Sequence, residues 1–445
     1  MRVIIVGAGQ VGTAIAGDLA GDHDVVVIDT DESRVDELQY EYDVLTVAGD
    51  GASLPVLERA GVEDADRFIA CTDEDRTNLV ACGAARTICD PFTIARTKNV
   101  DYLRTWERTN DAFGVDYVVC STLLAAETIV RVVGLPAAVN VKPYAGGLVY
   151  MAEFEINEAS PIVGQTIAEA DRFDSLTFAG LLRDGDAVLP GGDTRFEPED
   201  RVVVIGTPRS VQLFAADAAP EKTPDEADDI VVVGGSEIGY HTARLLGKRR
   251  FTPRLVESDP DRARELAERL PDTLVMENDA TDAEFLDRER IDEADVLVTT
   301  LGTDEQNLLT ALLAKRLGCR QIIALVDNAE YVPLFEAIGV DVTVNPRQTT
   351  AEEILRFSFE SAAENLTVLE GHQAEVLELE LEADSPLAGR TIAGLDRAIP
   401  GSFVVGAITR DRAYVEPRGE TTLEAGDRIV VLADTDSVEG FIERT

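Results

Sequence analysis

Short runs of β-branched and other apolar residues alternate with longer segments of helical period over the first 120 residues of the chain. Successive runs begin roughly 20–25 residues apart, which leaves room for one helix between each pair of strands. Strands joined in this way form a parallel sheet that is covered by helices on both faces. The pattern predicts a doubly wound α/β domain. Its predicted strands are residues 2–6, 24–29, 43–48, 67–71, 92–96 and 116–120.

The second half of the chain repeats the first. GAGQVG begins at Gly7, and GGSEIG begins 227 residues later at Gly234. A smaller element is repeated as well, since SPIVGQTI at 160–167 returns as SPLAGRTI at 385–392. Repetition at a nearly fixed spacing indicates duplicated domains in the order N1, C1, N2, C2. The predicted boundaries are 1–136 for N1, 137–217 for C1, 218–228 for an acidic, proline-containing linker, 229–360 for N2 and 361–445 for C2.

The C segments have a different pattern from the N segments. AEFEIN, FAGLLRDG and RVVVIG are short and partly alternating, and the second copy has AEVLELEL, FVVGAITRD and RIVVLAD in their place. Runs of this kind are typical of strands that pack on one face only. Each C segment is therefore predicted to be a small α+β lobe whose strands surround one brief helix.

The first glycine segment follows a strand and opens a helix, as a dinucleotide-binding loop requires. Gly7 permits the tight turn, Gly9 lets a diphosphate approach the backbone, and Gly12 lets the helix pack on the strand. The helix N-terminus that follows favours an anion. Asp29, at the end of the second strand, is placed to accept hydrogen bonds from the ribose hydroxyls and would repel a 2′-phosphate. These residues favour NAD(H) or ATP/ADP over NADP(H).

The second glycine segment is altered at its centre. Ser236 replaces the middle glycine, so a Cβ and a hydroxyl stand where the diphosphate would approach. Arg96, a candidate phosphate-binding cation at the end of a strand, corresponds to Leu325 in the second copy. Two interpretations remain open for N2, namely a second nucleotide site and a scaffold copy that is needed for assembly.

The chain is strongly acidic. Its 84 acidic residues outnumber 40 basic ones, for a formal net charge of −44, and only five of the basic residues are lysine. Such self-repulsion is screened in concentrated salt, which indicates a halophilic protein. Phosphate backbones would be repelled, and the sequence contains no basic stripe to overcome that repulsion, so nucleic acid is excluded as a partner.

Cysteine spacing and hydropathy exclude further classes of protein. The five cysteines form no CxxC pair and have no metal-ligand spacing with the histidines, so we expect reduced, mostly buried thiols and no metal site. The most apolar stretch, residues 117–139, is interrupted by Glu127, Arg131 and Pro136, and we expect no segment to insert into a membrane.

Candidates for acid–base chemistry are scarce. A hydride-transfer enzyme needs an acid or base beside the nicotinamide, and none of the three histidines follows a strand near the first glycine segment. We expect His23, His241 and His372 to lie at the surface or to cap helices. Asp75, after the fourth strand, is expected to cap the next helix.

Taken together, the motifs carry a family resemblance. GAGQVG, Asp29 in IDTD, AGDGAS, TDEDRTN and the strand that ends at Arg96, followed by SPIVGQTI and all repeated, resemble the TrkA family of Trk potassium-uptake regulators. Members are tandem RCK proteins with two TrkA-N and two TrkA-C domains, and the resemblance covers essentially the whole chain. It implies two Rossmann-like RCK N domains, each followed by a small α+β RCK C domain.

The resemblance also implies a function. It points to a cytoplasmic regulatory subunit, not an enzyme, that binds NAD(H) or an adenine nucleotide and gates potassium transport. Such a subunit forms a homo-oligomeric ring, peripheral at the inner face of the membrane, beneath an integral membrane potassium transporter subunit of the TrkH, TrkG or KtrB kind. The alternatives are an NAD-dependent oxidoreductase on the same fold and a stand-alone nucleotide sensor.

The nucleotide contacts implied by the resemblance fall on matching positions in each half. In the first half they are Gly7, Ala8, Gly9, Gln10, Val11 and Gly12 around the diphosphate, Asp29 on the ribose, Thr72 and Asp73 on the rim, and Arg96 near the phosphates. In the second half they are Gly234, Gly235, Ser236, Glu237, Ile238, Gly239 and Glu257.

Overall fold

The computed structural model describes residues 1–108, 112–135, 138–183, 186–218, 229–249, 251–358, 365–368, 374–382, 385–397 and 399–442. The chain forms two compact units. Unit 1 contains residues 1–129 and 229–358, and unit 2 contains residues 130–228 and 359–445. Apart from residue 218, the predicted linker 218–228 lies outside the described residues, and so does His372.

The first N domain is a six-stranded parallel sheet in the order β3-β2-β1-β4-β5-β6. Its central strands are almost wholly buried because helices cover both faces. The strands are β1 (Arg2–Val6), β2 (Asp24–Asp29), β3 (Leu45–Ala48), β4 (Arg67–Ala70), β5 (Phe92–Thr97) and β6 (Tyr117–Cys120). The helices are α1 (Gln10–Leu19), α2 (Glu32–Glu41), α3 (Leu54–Arg59), α4 (Asp75–Ala85), α5 (Val100–Glu107) and α6 (Ser121–Val133).

The first C domain is a five-stranded antiparallel sheet in the order β10-β9-β11-β8-β7. Its strands are β7 (Ala138–Tyr144), β8 (Val149–Glu155), β9 (Leu176–Arg183), β10 (Asp186–Val188) and β11 (Arg201–Gly206). Its helices are α7 (Ile167–Ala170) and α8 (Pro208–Ala218). The predicted α+β class is confirmed, but the expectation of one brief helix is wrong, because α8 also packs on the sheet through Val211 and Phe214.

The second N domain repeats the first, with a parallel sheet in the order β14-β13-β12-β15-β16-β17. The strands are β12 (Ile230–Val233), β13 (Arg254–Glu257), β14 (Leu274–Glu277), β15 (Val296–Thr299), β16 (Gln321–Leu325) and β17 (Val342–Val344). The helices are α9 (Glu237–Lys248), α10 (Pro260–Arg269), α11 (Ala283–Arg288), α12 (Asp304–Leu317), α13 (Val332–Ala337) and α14 (Pro346–Ser358). The prediction of two doubly wound domains is thus confirmed.

The second C domain repeats the antiparallel sheet in the order β18-β19-β22-β20-β21. Its elements are β18 (Asn365–Val368), β19 (Ala374–Glu380), β20 (Phe403–Arg410), β21 (Ala413–Val415), β22 (Arg428–Asp434) and α15 (Thr435–Ile442). Within unit 2 the two C sheets share one apolar cluster, in which Met151 and Val203 of the first lobe pack with Val376 and Leu432 of the second. The duplicated lobes therefore bury one face of each sheet against the other.

Within unit 1, α14 of the second N domain packs against the first. It contacts α1, β5 and β6, and the ring of Tyr117 on β6 stacks on Phe357 with the centroids 3.6 Å apart. Arg67 on β4 donates a hydrogen bond from Nε to the Ser358 carbonyl oxygen at 2.8 Å. The last helix of N2 thus joins the two N domains into one unit.

A close contact between α1 and the end of β1 fixes the first glycine loop, and it yields the first prediction. A Cβ added at Gly12 would lie 1.8 Å from the Gly7 carbonyl oxygen, and that atom belongs to the backbone and cannot swing away. We expect Gly12→Ala to lower the free energy of unfolding by at least about 1–3 kcal/mol, measured by urea denaturation in molar KCl. Gly21→Ala is the control, because a Cβ there meets nothing within 4 Å. Equal stability of the two variants would contradict the prediction.

Candidate nucleotide-binding site

A cleft of about 1160 Å³ opens at the carboxyl ends of β1 and β4, where the strand order of the first sheet reverses. Ligands of open α/β sheets bind at this point. Residues predicted for the first site and found on the cleft wall are Gly7, Ala8, Gly9, Gln10, Val11, Asp29, Thr72, Asp73 and Arg96. Gly12 does not line the cleft, and its part is the packing of α1 just described.

The middle glycine of the loop has free space around it. Gly9 is the N-cap of α1 and offers no side chain to the amides of the first turn, so these amides remain available to an anion. A Cβ added at Gly9 would meet only Arg34 Nη1, at 3.9 Å. The fold itself therefore does not require glycine here, in contrast to Gly12.

Asp29 holds the loop in place. Its Oδ2 accepts a hydrogen bond from the Ala8 amide at 2.6 Å, and its Oδ1 accepts one from the Asp31 amide at 2.9 Å. Each carboxylate oxygen has a second lone pair that could accept a ribose hydroxyl. The acid thus links the ends of β1 and β2, a structural task in addition to the one expected from its position.

Arg96 is a buried cation on the cleft wall. Its side chain is 7% exposed, and its Nη1 lies 3.2 Å from Asp73 Oδ1. Asp73 also accepts a hydrogen bond from Lys98 Nζ at 2.9 Å, and this bond, with the charges of Lys98 and Arg96, lowers the pKa of Asp73. Arg96 Nε is buried and has no hydrogen-bond partner among the described residues. The guanidinium of Arg96 thus places a positive charge at the wall of the cleft.

Asn78 was missed by the sequence analysis as a residue that shapes the site. Buried in α4, it accepts a hydrogen bond from the Thr72 amide at 2.9 Å and donates one to the Arg96 carbonyl oxygen at 2.9 Å. Asn307 makes the matching bonds in the second domain, from the Leu301 amide at 2.8 Å and to the Leu325 carbonyl oxygen at 3.0 Å. The sequence signal for this role is that the asparagine recurs at matching positions of the two copies, in TDEDRTN and in TDEQN.

Two cations of the first cleft had no sequence signal. Arg34 in α2 is the side chain nearest to Gly9, and it carries no motif of its own. Arg347 reaches the cleft from the second N domain, at the start of α14, together with the neighbouring Asn345 and Gln348. Residues more than 300 positions apart in the chain thus line one cavity.

The second N domain has a smaller cleft, of about 630 Å³. Of the predicted positions, Ser236, Glu237 and Ile238 line it, whereas Gly234, Gly235, Gly239 and Glu257 do not. Leu301 and Leu325 occupy the places that Thr72 and Arg96 hold in the first cleft. The second wall therefore lacks both the rim hydroxyl and the buried cation.

Groups of the protein itself occupy the second glycine loop. Ser236 is the N-cap of α9, and its hydroxyl accepts a hydrogen bond from the Gly239 amide at 3.2 Å. Arg262, the counterpart of Arg34, donates to the Gly235 carbonyl oxygen at 2.9 Å and pairs with Glu237 at 2.8 Å. The protein thus supplies the helix cap in the second domain and not in the first, and Arg262 binds the loop whereas Arg34 pairs with Asp31 at 3.6 Å.

Two expectations about single residues are wrong. Asp75 is the first residue of α4 and not its cap, which is Glu74; its carboxylate instead accepts the amides of Lys98 and Asn99, each at 2.9 Å, because the end of β5 lies beside it. His241 is neither exposed nor a cap. It is 4% exposed within α9, where its spacing in an amphipathic helix turns it inward.

Several predicted absences concern the described residues alone. In them, no group of three or more His, Cys, Asp or Glu side chains could hold a metal ion. No helix in the described part of the chain has the length and apolarity to cross a membrane. All five cysteines are unpaired thiols and four are buried, as expected; Cys71, on the wall of the first cleft, has its pKa raised to about 12 by burial.

Comparison with known proteins identifies relatives over the full length. The TrkA-N domain family matches residues 3–121 and 230–346, and the TrkA-C domain family matches 151–218 and 376–444. The chain is 35% identical to a Trk system potassium uptake protein TrkA homolog of Archaeoglobus fulgidus, over 100% of this chain and 99% of that one. It is 33% identical to TrkA homolog 1 of Methanosarcina mazei, over 97% of each. Among solved structures, one described as the GsuK channel bound to NAD shares the fold, with a TM-score of 0.61 and 21% identity over all of this chain and 78% of that one.

The burial of His241 yields a prediction about acid stability. Burial, together with the charges of Arg244 and other arginines, lowers the pKa of His241 to about 4. Below the ordinary histidine pKa of about 6.5, the unfolded chain binds a proton here that the native state does not bind, so stability is lost as the pH falls towards 4. We expect His241→Asn to lessen the loss of unfolding free energy between pH 7 and pH 5 by about 2 kcal/mol.

The measurement is urea denaturation at a series of pH values in constant KCl. His23→Asn, in the partly exposed turn after α1, is the control for removing an imidazole from elsewhere in the chain. A His241→Asn variant whose pH dependence equals that of the parent protein would refute the prediction.

Proposed function

Since the chain belongs to the TrkA family of tandem TrkA-N and TrkA-C proteins, we propose that it is the nucleotide-responsive regulatory subunit of a Trk-type potassium uptake system. Copies of the chain form a ring on the cytoplasmic side of a membrane-embedded potassium transporter subunit. The ligand is NAD(H) in the first place, with ATP or ADP as the alternative.

The contrast between two glycines of the first loop carries the proposal. Gly12 is demanded by the fold, because a Cβ there would collide with the Gly7 carbonyl oxygen at 1.8 Å. Gly9 has no such neighbour and stands at the open N-terminus of α1. Packing within the protein does not require glycine at position 9. A ligand that approaches the backbone there is the best explanation for the glycine.

Each remaining group of the first site has a place in binding. The amides of the first turn of α1 would hold the diphosphate, and the free lone pairs of Asp29 would accept the ribose hydroxyls. Arg96, already fixed by Asp73 and by the strand end that Asn78 holds, would offer its positive charge to the phosphates. Because these groups are positioned before a ligand arrives, little ordering cost opposes binding.

A regulatory role fits the lining of this cleft better than a catalytic one. The described residues on its wall include no His, Lys or Tyr side chain to act as an acid or base beside a nicotinamide. The Cys71 thiol, with a pKa of about 12, supplies no thiolate near neutral pH. Regulation then follows from linkage: a ligand shifts the gate only by its differential affinity for two ring conformations, typically about 1–3 kcal/mol.

Substitution of Gly9 tests the proposed site. In Gly9→Ala, the added Cβ meets no protein atom closer than 3.9 Å but obstructs the ligand. We expect a loss of stability of no more than about 1 kcal/mol, because alanine is a poorer N-cap than glycine, and at least a tenfold loss of nucleotide affinity, about 1.4 kcal/mol. NADH and ATP are titrated in molar KCl by calorimetry, with nicotinamide absorbance followed in parallel. In cells whose only copy of the protein is the variant, potassium uptake should take place but should no longer respond to nucleotide.

Gly302→Ala is the matched control, since it adds a Cβ in the second cleft where nothing lies within 4 Å. It should bind nucleotide like the parent protein. Tight binding by Gly9→Ala would remove the proposed site. Consumption of NADH when metabolites are added would favour the oxidoreductase instead.

The second domain yields a prediction of stoichiometry. With Ser236 capping α9 and Leu325 in place of the cation, we expect one nucleotide per chain by calorimetry. Ser236→Gly removes the cap but leaves Leu325 and the paired Arg262, so it should still bind one. Two nucleotides per chain in the parent protein would show that the second loop tolerates its serine.

A further inference from the structure

The cleft of the first N domain is walled in part by the second. Arg347 lies in the first turn of α14, which begins after Asn345, and both residues line the cleft that holds Gly9. The Asn345 carboxamide oxygen accepts the amides of Arg347 and Gln348, each at 2.9 Å, and so fixes the turn that carries the arginine. Arg347 is therefore presented to this cleft by a defined piece of backbone.

The charge of Arg347 is not used within the protein. Its guanidinium has no hydrogen bond or ion pair with any residue that the structure describes, although carboxylates are plentiful on the same walls. Glu330, Glu352 and Asp18 all line the cleft, and partial burial and the charge of Glu352 raise the pKa of Asp18. A cation kept apart from nearby carboxylates is free for an anion that enters the cleft.

The duplicated architecture supplies an internal comparison. Asp116 and Asp341 directly precede the matching strands β6 and β17 and lie 225 residues apart, and the same spacing relates Arg347 to Thr122. Thr122 lines the second cleft, as Arg347 lines the first. The same position of the fold, at the start of α14 or α6, is thus an arginine in the first cleft, which contains Gly9, and a threonine in the second cleft, which contains Ser236.

Three matched positions of the two clefts differ in one direction, although the second cleft has cations of its own at Lys98, Arg104, Arg244 and Arg269. The first cleft has Gly9, Arg96 and Arg347 where the second has Ser236, Leu325 and Thr122. The first of these differences opens a helix N-terminus to an anion, and the other two add a positive charge. Because Arg347 comes from another domain than Gly9 and Arg96, its agreement with them is an independent observation.

We propose that Arg347 is a ligand-binding residue which the second N domain contributes to the nucleotide held by the first, through contact with a phosphate group. The inference rests on the proposed function and adds a residue and a selectivity to it. A guanidinium matches phosphate oxygens with paired hydrogen bonds. The bound nucleotide then contacts both N domains, and the affinity of a ligand increases with the phosphate charge that it places beside α14.

The test compares Arg347→Gln, Arg347→Lys and the control Arg316→Gln. Arg316, on the exposed face of α12, loses the same charge far from the first cleft's walls. ATP, ADP and NADH are titrated onto each full-length variant by calorimetry at one fixed KCl concentration. We expect Arg347→Gln to bind ATP at least fivefold more weakly than the parent protein, with ADP and NADH affected less. Arg347→Lys should fall between, and Arg316→Gln should match the parent.

The outcomes separate the two proposals. If the parent protein binds none of the three ligands, the proposed function fails. If it binds them and Arg347→Gln retains its affinities for all three, the role of Arg347 is overturned while the site stands. Thermal unfolding without ligand checks the fold of each variant, and should Arg347→Gln prove unstable, the ATP affinity of Arg347→Lys decides: a value equal to that of the parent overturns the inference.

Discussion

The approach of α1 to the end of β1 governs the geometry of the first site. Gly12 rests against the Gly7 carbonyl oxygen at a distance that leaves no room for a Cβ, and Asp29 ties the intervening loop to the neighbouring strand. These contacts aim the N-terminus of α1 at the cleft. The second domain repeats them, with Gly239 against the Gly234 carbonyl oxygen and Glu257 bonded to the Gly235 amide. One packing constraint thus builds both copies.

The two N domains share this scaffold but differ in the groups that pair with the N-terminus of the first helix and with the glycine loop. In the second domain the Ser236 hydroxyl caps the helix that an anion would otherwise cap, and Arg262 binds the loop from within. In the first, the N-cap Gly9 supplies no side chain to the N-terminus of α1. The two copies thus differ in whether the protein itself caps the helix that follows the glycine loop.

Because the chain is strongly acidic, it matters which arginines on the wall of the first cleft are paired with carboxylates. In a chain of net charge −44, most arginines near a carboxylate pair with it, and Arg96 is held by Asp73 in this manner. Ion pairs that are fully exposed contribute little in concentrated salt, because the salt screens them. On the wall of the first cleft, Arg34 and Arg96 are paired with Asp31 and Asp73, and Arg347 is the cation without an ion pair among the described residues. If Arg347 binds the ligand as proposed, a bound anion would act on the contact between α14 and the first domain.

The sequence by itself determined the duplication, the two parallel sheets, the glycine loops and the acids that follow β2 and β13, because strand spacing and glycine requirements are local properties of the chain. Only the tertiary structure decided the rest. His241 is buried, Asp75 binds the end of β5, each C lobe has a second helical segment, and Arg34 and Arg347 reach the first cleft. These facts depend on which helix packs on which sheet. A contact across more than 300 positions, such as the approach of Arg347 to the first cleft, leaves no period or spacing in the sequence from which it could be inferred.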